Sequence, residues 1–250
     1  MGILRLGALP ADSASSEREL RFGSMENLST RDKMIVLTLE GISDSGPADF
    51  NAFEVCDTLG IKHPMVNYHF GNRDGMIAEA TWWLYQRWIT NVTSAILNAP
   101  ADPRKRITAF VNESVEGARK LGGAYLLLHY PLSSKNSQNI LQDKHHDDME
   151  RKMEFVLALL AICVKDVRSG TVSDINFDEN NVPRTQVMRD APAAMAATHI
   201  AWMVHGLAAW SSGNHLATNR LSIRTVTKDI SIDLTIRAYI KAIVHIAEGS

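Results

Sequence analysis

The sequence predicts an all-α chain, divided into a small three-helix head and a larger helical body. Three observations carry that prediction. From residue 29 onward apolar residues recur at spacings of three and four, the period of a helix with one buried face. Alternating β-branched runs bounded by turn residues are scarce. Helix start and stop signals, a capping side chain before the first apolar position and glycine or proline after the last, punctuate the chain. With 250 residues, 45% of them hydrophobic and 22% charged, the chain suits one large or two small globular units and excludes disorder, collagen and a coiled-coil rod.

Residues 1–25 are rich in Ala, Ser, Gly and Arg and hold no sustained period, so they are expected to form a flexible arm. Ser29 or Thr30 can cap a first helix with Met34, Ile35, Leu37 and Leu39 inward, running to Gly41, before Gly46-Pro47 breaks the chain. A second, short helix covers Phe50 to Leu59 and stops at Gly60. Pro64 suits the first position of a third, which ends at Gly71 after barely two turns and must be held by its neighbours. Asn72 can cap a long fourth helix, with Asp74 in its first turn, running through Trp82, Trp88 and Ile96 to Pro100. Asp102-Pro103 starts a fifth, ended by Gly122-Gly123, and Tyr125 to Leu132 is a short apolar piece. The longest periodic run is Ser137 to Val167, closed by Gly170, after which residues 171–190 form a polar loop. Two final helices are expected over Ala193 to Ser211 and Thr227 to Ala247.

Composition narrows the function classes. The longest uncharged apolar stretch, Phe155 to Val164, is far shorter than the roughly 18 residues that span a bilayer. No signal-like hydrophobic region opens the chain, so a cytoplasmic location without membrane attachment is expected. The two cysteines, Cys56 and Cys163, sit apart in apolar segments and can build neither a disulfide framework nor a thiolate zinc site. No nucleophile elbow, phosphate-binding glycine loop or HExxH pattern occurs, so neither catalysis nor a cofactor is expected. A formal net charge of −2 means that any nucleic-acid binding must come from a local patch.

The informative feature is the pair of short helices separated by Gly60-Ile61-Lys62-His63, which has the proportions of a helix-turn-helix. The stretch Gly60-Ile61-Lys62-His63-Pro64-Met65-Val66-Asn67-Tyr68-His69-Phe70-Gly71-Asn72-Arg73-Asp74-Gly75-Met76 resembles the signature of the tetracycline-repressor (TetR) family. The shared features are the glycine turn, the recognition helix, its Tyr-His-Phe ending and the basic residue opening the connecting helix. By motif the resemblance covers residues 30–80, and the order and lengths of the later helices agree with it. It implies a homodimeric transcriptional regulator, usually a repressor, released from a palindromic operator when a small molecule enters the body. Lys62 stands where a capping Ser is usual, Pro64 where a small residue is usual and Asn67 where Tyr is common, departures that bear on the operator sequence more than on the function.

Residue chemistry assigns roles within that segment. Lys62, His63, Asn67, Tyr68, His69 and Arg73 form a basic and polar run, free of acids until Asp74, that can approach phosphates. The Asn67 amide can pair bidentately with adenine, and Met65 can touch a thymine methyl. Tyr68, His69 and Arg73 suit phosphates, while Val66 and Phe70, four apart, face the core. Against DNA binding stands charge: residues 26–76 hold four basic and eight acidic residues. Nonspecific attraction is therefore expected to be weak, with affinity resting on the local patch, dimerisation and the arm residues Arg18 and Arg21.

In the body, an effector cavity of mostly apolar walls with a few polar anchors is expected to use Trp82, Tyr125, His129, Met153, Trp202 and His205. Trp82 and Trp202 are the preferred walls and His129 and His205 the anchors, with core packing or dimer contact as the competing reading of each. Asp143, His145, His146, Asp147 and Asp148 include metal-ligand types, but neighbours on a helix point apart and a solvated helix start is the stronger reading, so no metal site is expected. Met195, His199, Met203, Leu207 and Trp210 recur at helical spacing, as do Ile232, Ile236, Tyr239, Ile240 and Val244, and the two faces are expected to form a homodimer interface.

The expected organisation is thus an arm over 1–25, a helix-turn-helix DNA-binding unit over 26–76 and an effector-binding and dimerisation unit over 77–250. The expected function is a ligand-responsive regulator that binds double-stranded operator DNA as a dimer and is released by an apolar or aromatic effector. The alternative is a helical small-molecule binding or interaction protein with a vestigial head.

Overall fold

The computed structural model describes residues 21–128, 134–184, 190–217 and 232–249, with side chains left out at 213–217 and 232–236. Among the described residues the chain is helical without strands. The helices are α1 (Thr30–Asp49), α2 (Ala52–Leu59), α3 (Pro64–Phe70), α4 (Arg73–Asn98), α5 (Pro103–Leu121), α6 (Lys135–Ser169), α7 (Ala191–Ala217) and α8 (Ile232–Glu248), with a 3-10 segment over Gly122–Leu128. Five of them start where a short polar side chain satisfies a free backbone N–H group. Ser29 accepts from Asp32 N, Asn51 from Phe53 N, Asn72 from Gly75 N, Asp102 from Arg104 N and Ser134 from Ser137 N.

The first helix runs past Gly41, and its break falls at Gly46, whose φ of 80° and ψ of 162° are not helical. α2 begins at Ala52, later than expected, because Asn51 caps it while Phe50 remains extended and buried. α3 has the expected bounds, and Gly60, at φ 63°, supplies the left-handed residue that ends α2 and lets the chain turn. Among the described residues no helix is long and apolar enough to cross a membrane.

One hydrophobic core runs through the whole described chain. Met34, Val55, Val66 and Phe70 of the first three helices join Met76, Ile77 and Ala80 of α4, which continue into Phe110, Leu159, Ile200 and Ile243 of the body. The arm does not stop at residue 25 as a free segment: Phe22 is 2% exposed within that core, and Arg87 donates from Nη1 to the Phe22 carbonyl at 3.0 Å. The end of the expected arm is therefore packed. Its apolar ring is the physical reason, and residues 1–20 lie outside the described part.

α4 and α6 run side by side in the same direction. Asp74 accepts from Asn136 Nδ2 at 3.0 Å and Ser137 Oγ at 3.2 Å, Glu79 meets Lys144, and the Tyr85 hydroxyl donates to the Met149 carbonyl at 2.8 Å. Beyond α6, residues from 171 onward cross its surface. They are held by buried Asp166, which accepts from Thr171 Oγ1, Ser173 N and Ser173 Oγ, and by a Lys152–Glu179 pair at 2.6 Å.

Candidate nucleic-acid interface

The α2–turn–α3 unit presents one polar face. Lys62, His63, Asn67 and Tyr68 are exposed, Tyr68 at 79%, whereas Val66 and Phe70 are buried as their four-residue spacing predicts. α3 is too short to be stable alone and is anchored by these two side chains. Between α2, α3 and the start of α4 lies a groove of about 490 Å³, lined among others by Asn51, Phe53, His63, Asn67 and Arg73.

Gly75 fixes how closely α4 approaches α3. A Cβ there would lie 2.0 Å from the Phe70 carbonyl oxygen, a backbone atom and not the end of a flexible side chain. The glycine in the quoted motif therefore serves a close contact between two helices.

Several expected DNA residues have partners inside the protein. Arg73 donates from Nε to the Phe50 carbonyl at 3.0 Å and from Nη2 to the Pro47 and Ala48 carbonyls at 2.7 and 3.3 Å, with its guanidinium over the Phe50 ring. The fork of donors that suits a phosphate suits unpaired carbonyls at a helix end equally well. Arg73 is thus a clamp between α1 and α4 in this structure. His63 stacks on Phe53 at 4.5 Å and its Nε2 lies 3.0 Å from Asp57 Oδ1. His69 is half-buried edge-on to Tyr68, and Met65 packs partly against the core. Of the four basic residues in 26–76, Arg31 pairs with Glu79 at 2.6 Å and Arg73 is clamped, while Lys62 stands exposed at the turn.

This all-helical architecture recurs in solved structures of distant sequence. A protein of unknown function from Rhodococcus sp. RHA1 matches with a TM-score of 0.56 at 14% identity, over 88% of this chain and 96% of that one. A proposed transcriptional regulator from Pseudomonas aeruginosa PAO1 matches with a TM-score of 0.58 at 19% identity, over 93% of this chain and 95% of that one. A third structure, of a proposed regulatory protein, matches with a TM-score of 0.55 at 15% identity, over 95% of this chain and the whole of that one. The likeness is one of fold. No family model matches the chain, and no curated protein matches it in sequence.

The expected effector residues separate. Tyr125 is fully buried, and burial drives its hydroxyl pKa well above the usual tyrosine value. His205 faces the interior 5.3 Å from the Trp88 ring, and burial pushes its pKa down to about 4, so it is neutral near pH 7. Met153 packs partly against the core, and His129 lies outside the described residues. Trp202, 72% exposed, stands on the outer face of α7. Trp82 lies apart from Tyr125 and His205 in its contacts. It stacks on His145 at 4.6 Å and on Tyr85 at 6.0 Å, on the flank where α4 meets α6.

Two grooves of the body, about 380 and about 460 Å³, lie between α6, the crossing segment and the start of α7. None of Trp82, Tyr125, Met153, Trp202 and His205 lines either. Among the described residues no cluster of His, Cys, Asp and Glu could hold a metal ion.

The outer face of α7 presents Met195, His199, Trp202, Gly206 and Trp210 to solvent at helical spacing, while Leu207 is buried and Met203 partly so. The apolar stripe is therefore rotated from the expected one. On α8, Tyr239 is exposed and Ile240 and Val244 are half-buried, whereas the side chains of Ile232 and Ile236 lie outside the described set.

The sequence reading missed Glu79. It is an acid three residues from Met76 on the apolar arc of α4, and it is 8% exposed. An acid on a buried arc signals a specific partner, but its partners, Arg31 and Lys144, lie too far away in sequence for any local pattern to name them.

Proposed function

We propose that the chain is a DNA-binding transcriptional regulator of the TetR type, acting as a dimer and responding to a small molecule. One observation carries the reading: a two-turn α3, anchored by Val66 and Phe70, leaves Asn67, Tyr68 and the preceding Lys62 facing solvent together. That arrangement suits a recognition helix entering the major groove, with Asn67 reading a base and Lys62 and Tyr68 holding phosphates. His63, Met65 and His69 border this surface, and Arg73 orients it from behind through the α1 carbonyls. The fold shared with two proteins proposed as regulators supports the same class.

The body supplies the rest of the proposal. A 27-residue α7 with Met195, Trp202 and Trp210 outward favours pairing with the same face of a second copy. Buried Tyr125 and half-buried His205 are the proposed effector contacts, with Trp88 beside His205. Residues 26–76 would then act as the DNA-binding unit and the remainder as the dimerisation and effector unit, joined through α4.

Fluorescence anisotropy with duplexes enriched from a random pool tests the reading. Selective binding is expected, with a shallow dependence on salt because so few head cations are free to meet phosphates. Asn67→Ala is expected to erase about 1–3 kcal/mol of preference at one base pair while leaving thermal stability unchanged. A chain that enriches no sequence even at low salt refutes the regulator.

A further inference from the structure

We infer that Glu79 is the positioning residue of the proposed recognition helix, latching the head to the body helix α6 through Arg31 and Lys144. The inference rests on the reading of α3 as the DNA-facing helix. Glu79 sits on α4, and its two oxygens meet side chains of two different helices. Oε2 accepts from Arg31 Nη2 of α1 at 2.6 Å, and Oε1 accepts from Lys144 Nζ of α6 at 3.0 Å, with His145 Nε2 at 3.5 Å. Arg31 in turn lies 5.3 Å over the ring of Phe70, the last residue of α3 and one of its two buried anchors. The carboxylate therefore joins the end of the recognition helix to a helix of the body.

A carboxylate this buried is stable only with its partners in place. Burial pushes its pKa up, and the hydrogen bonds from Lys144 and Arg31 outweigh that effect, holding it below the usual glutamate value. A displacement of α6 relative to α4 removes Lys144 and leaves Arg31 as the one remaining strong partner, so the head's anchor changes with the position of the body helix. The latch also touches an unbroken row of rings. His145 stacks on Trp82 at 4.6 Å, Trp82 lies 6.0 Å from Tyr85, Tyr85 lies 6.0 Å from Trp88, and Trp88 lies 5.3 Å from His205 in the interior. His205, one of the two groups proposed to meet an effector, is thus in contact, ring by ring, with the groups that hold the recognition helix.

Glu79→Gln, Lys144→Met and Lys144→Arg test the latch in the full-length chain. Lys144 is half exposed, so its variants are expected to fold even if Glu79→Gln does not. Hydrogen exchange of the free protein is the first readout. Exchange over residues 64–70 is expected to rise about tenfold in Lys144→Met and to return in Lys144→Arg, while the α5 and α7 amides stay protected. Operator affinity is the second readout. Glu79→Gln removes an acid, which by charge alone strengthens DNA binding, whereas loss of the latch is expected to weaken it about tenfold. Unchanged exchange at 64–70, exchange rising equally throughout the chain, or tighter operator binding by Glu79→Gln each overturns the inference. A wild-type chain that binds no duplex refutes the regulator reading alone, and the exchange data then decide the latch by themselves.

Discussion

His205 makes the stability of this protein depend on pH between the ordinary histidine pKa and the lower value that burial gives this one. Its pKa falls from an ordinary 6.5 to about 4 because burial disfavours the imidazolium. The folded state therefore binds fewer protons than the unfolded state between those values, and acid favours unfolding. The contribution is negligible above 6.5, grows as the pH falls, and levels off below the folded pKa at about 3 kcal/mol. At pH 5 it amounts to about 2 kcal/mol. Asp74 is held below the ordinary carboxylate range, chiefly by the hydrogen bond from Asn136, and Glu79 is held low by Lys144 and Arg31 against burial. Their stability is present above the unfolded carboxylate pKa and is lost as pH falls through the folded one, a window below pH about 4.5 that a His205 variant shares. Urea unfolding followed by circular dichroism at pH 7 and pH 5, for wild type and His205→Phe, isolates the histidine. The wild type is expected to lose about 2 kcal/mol more than the variant between the two pH values. Equal losses in both proteins would refute the burial argument and place His205 in contact with water.

The remaining predictions concern the head junction and the outer face of α7. Arg73→Ala removes three charge-assisted hydrogen bonds to the Pro47, Ala48 and Phe50 carbonyls at the end of α1 and is expected to cost about 2 kcal/mol in chemical unfolding, with Arg73→Lys recovering little because an ammonium lacks the planar fork. Gly75→Ala forces a methyl against the Phe70 carbonyl and is expected to destabilise by about 2 kcal/mol and to raise hydrogen exchange in residues 64–70. Trp202→Glu is expected to weaken self-association by about 30-fold or more in sedimentation equilibrium while leaving helicity intact, since the side chain is outside the core. An unaltered association constant would move the interface elsewhere.

Helical period, caps and glycine stops are local properties, so the chain itself determines that the protein is all-α and where most helices begin. Asn72, Asp102 and Gly170 mark their helix ends in the sequence and occupy those ends in the structure. The inward pair Val66 and Phe70 follows from the same local rule. Tertiary packing decided everything that local rules leave degenerate. α7 is apolar around most of its circumference, so spacing cannot say which side faces the core, and only packing against α5 and α6 sends Trp202 outward and His205 inward. Arg73 and Arg31 both carry the planar fork of donors that suits a phosphate. Their engagement with the α1 carbonyls and with Glu79 depends on groups brought together from 23 to 48 residues away. Phe22 likewise lies in a segment without period, and its burial depends on the hydrophobic core it joins and on Arg87 of α4, which holds its carbonyl. A sequence states which side chains need partners, and the fold decides which partner each one meets, because burial and hydrogen bonding act between atoms close in space and not along the chain.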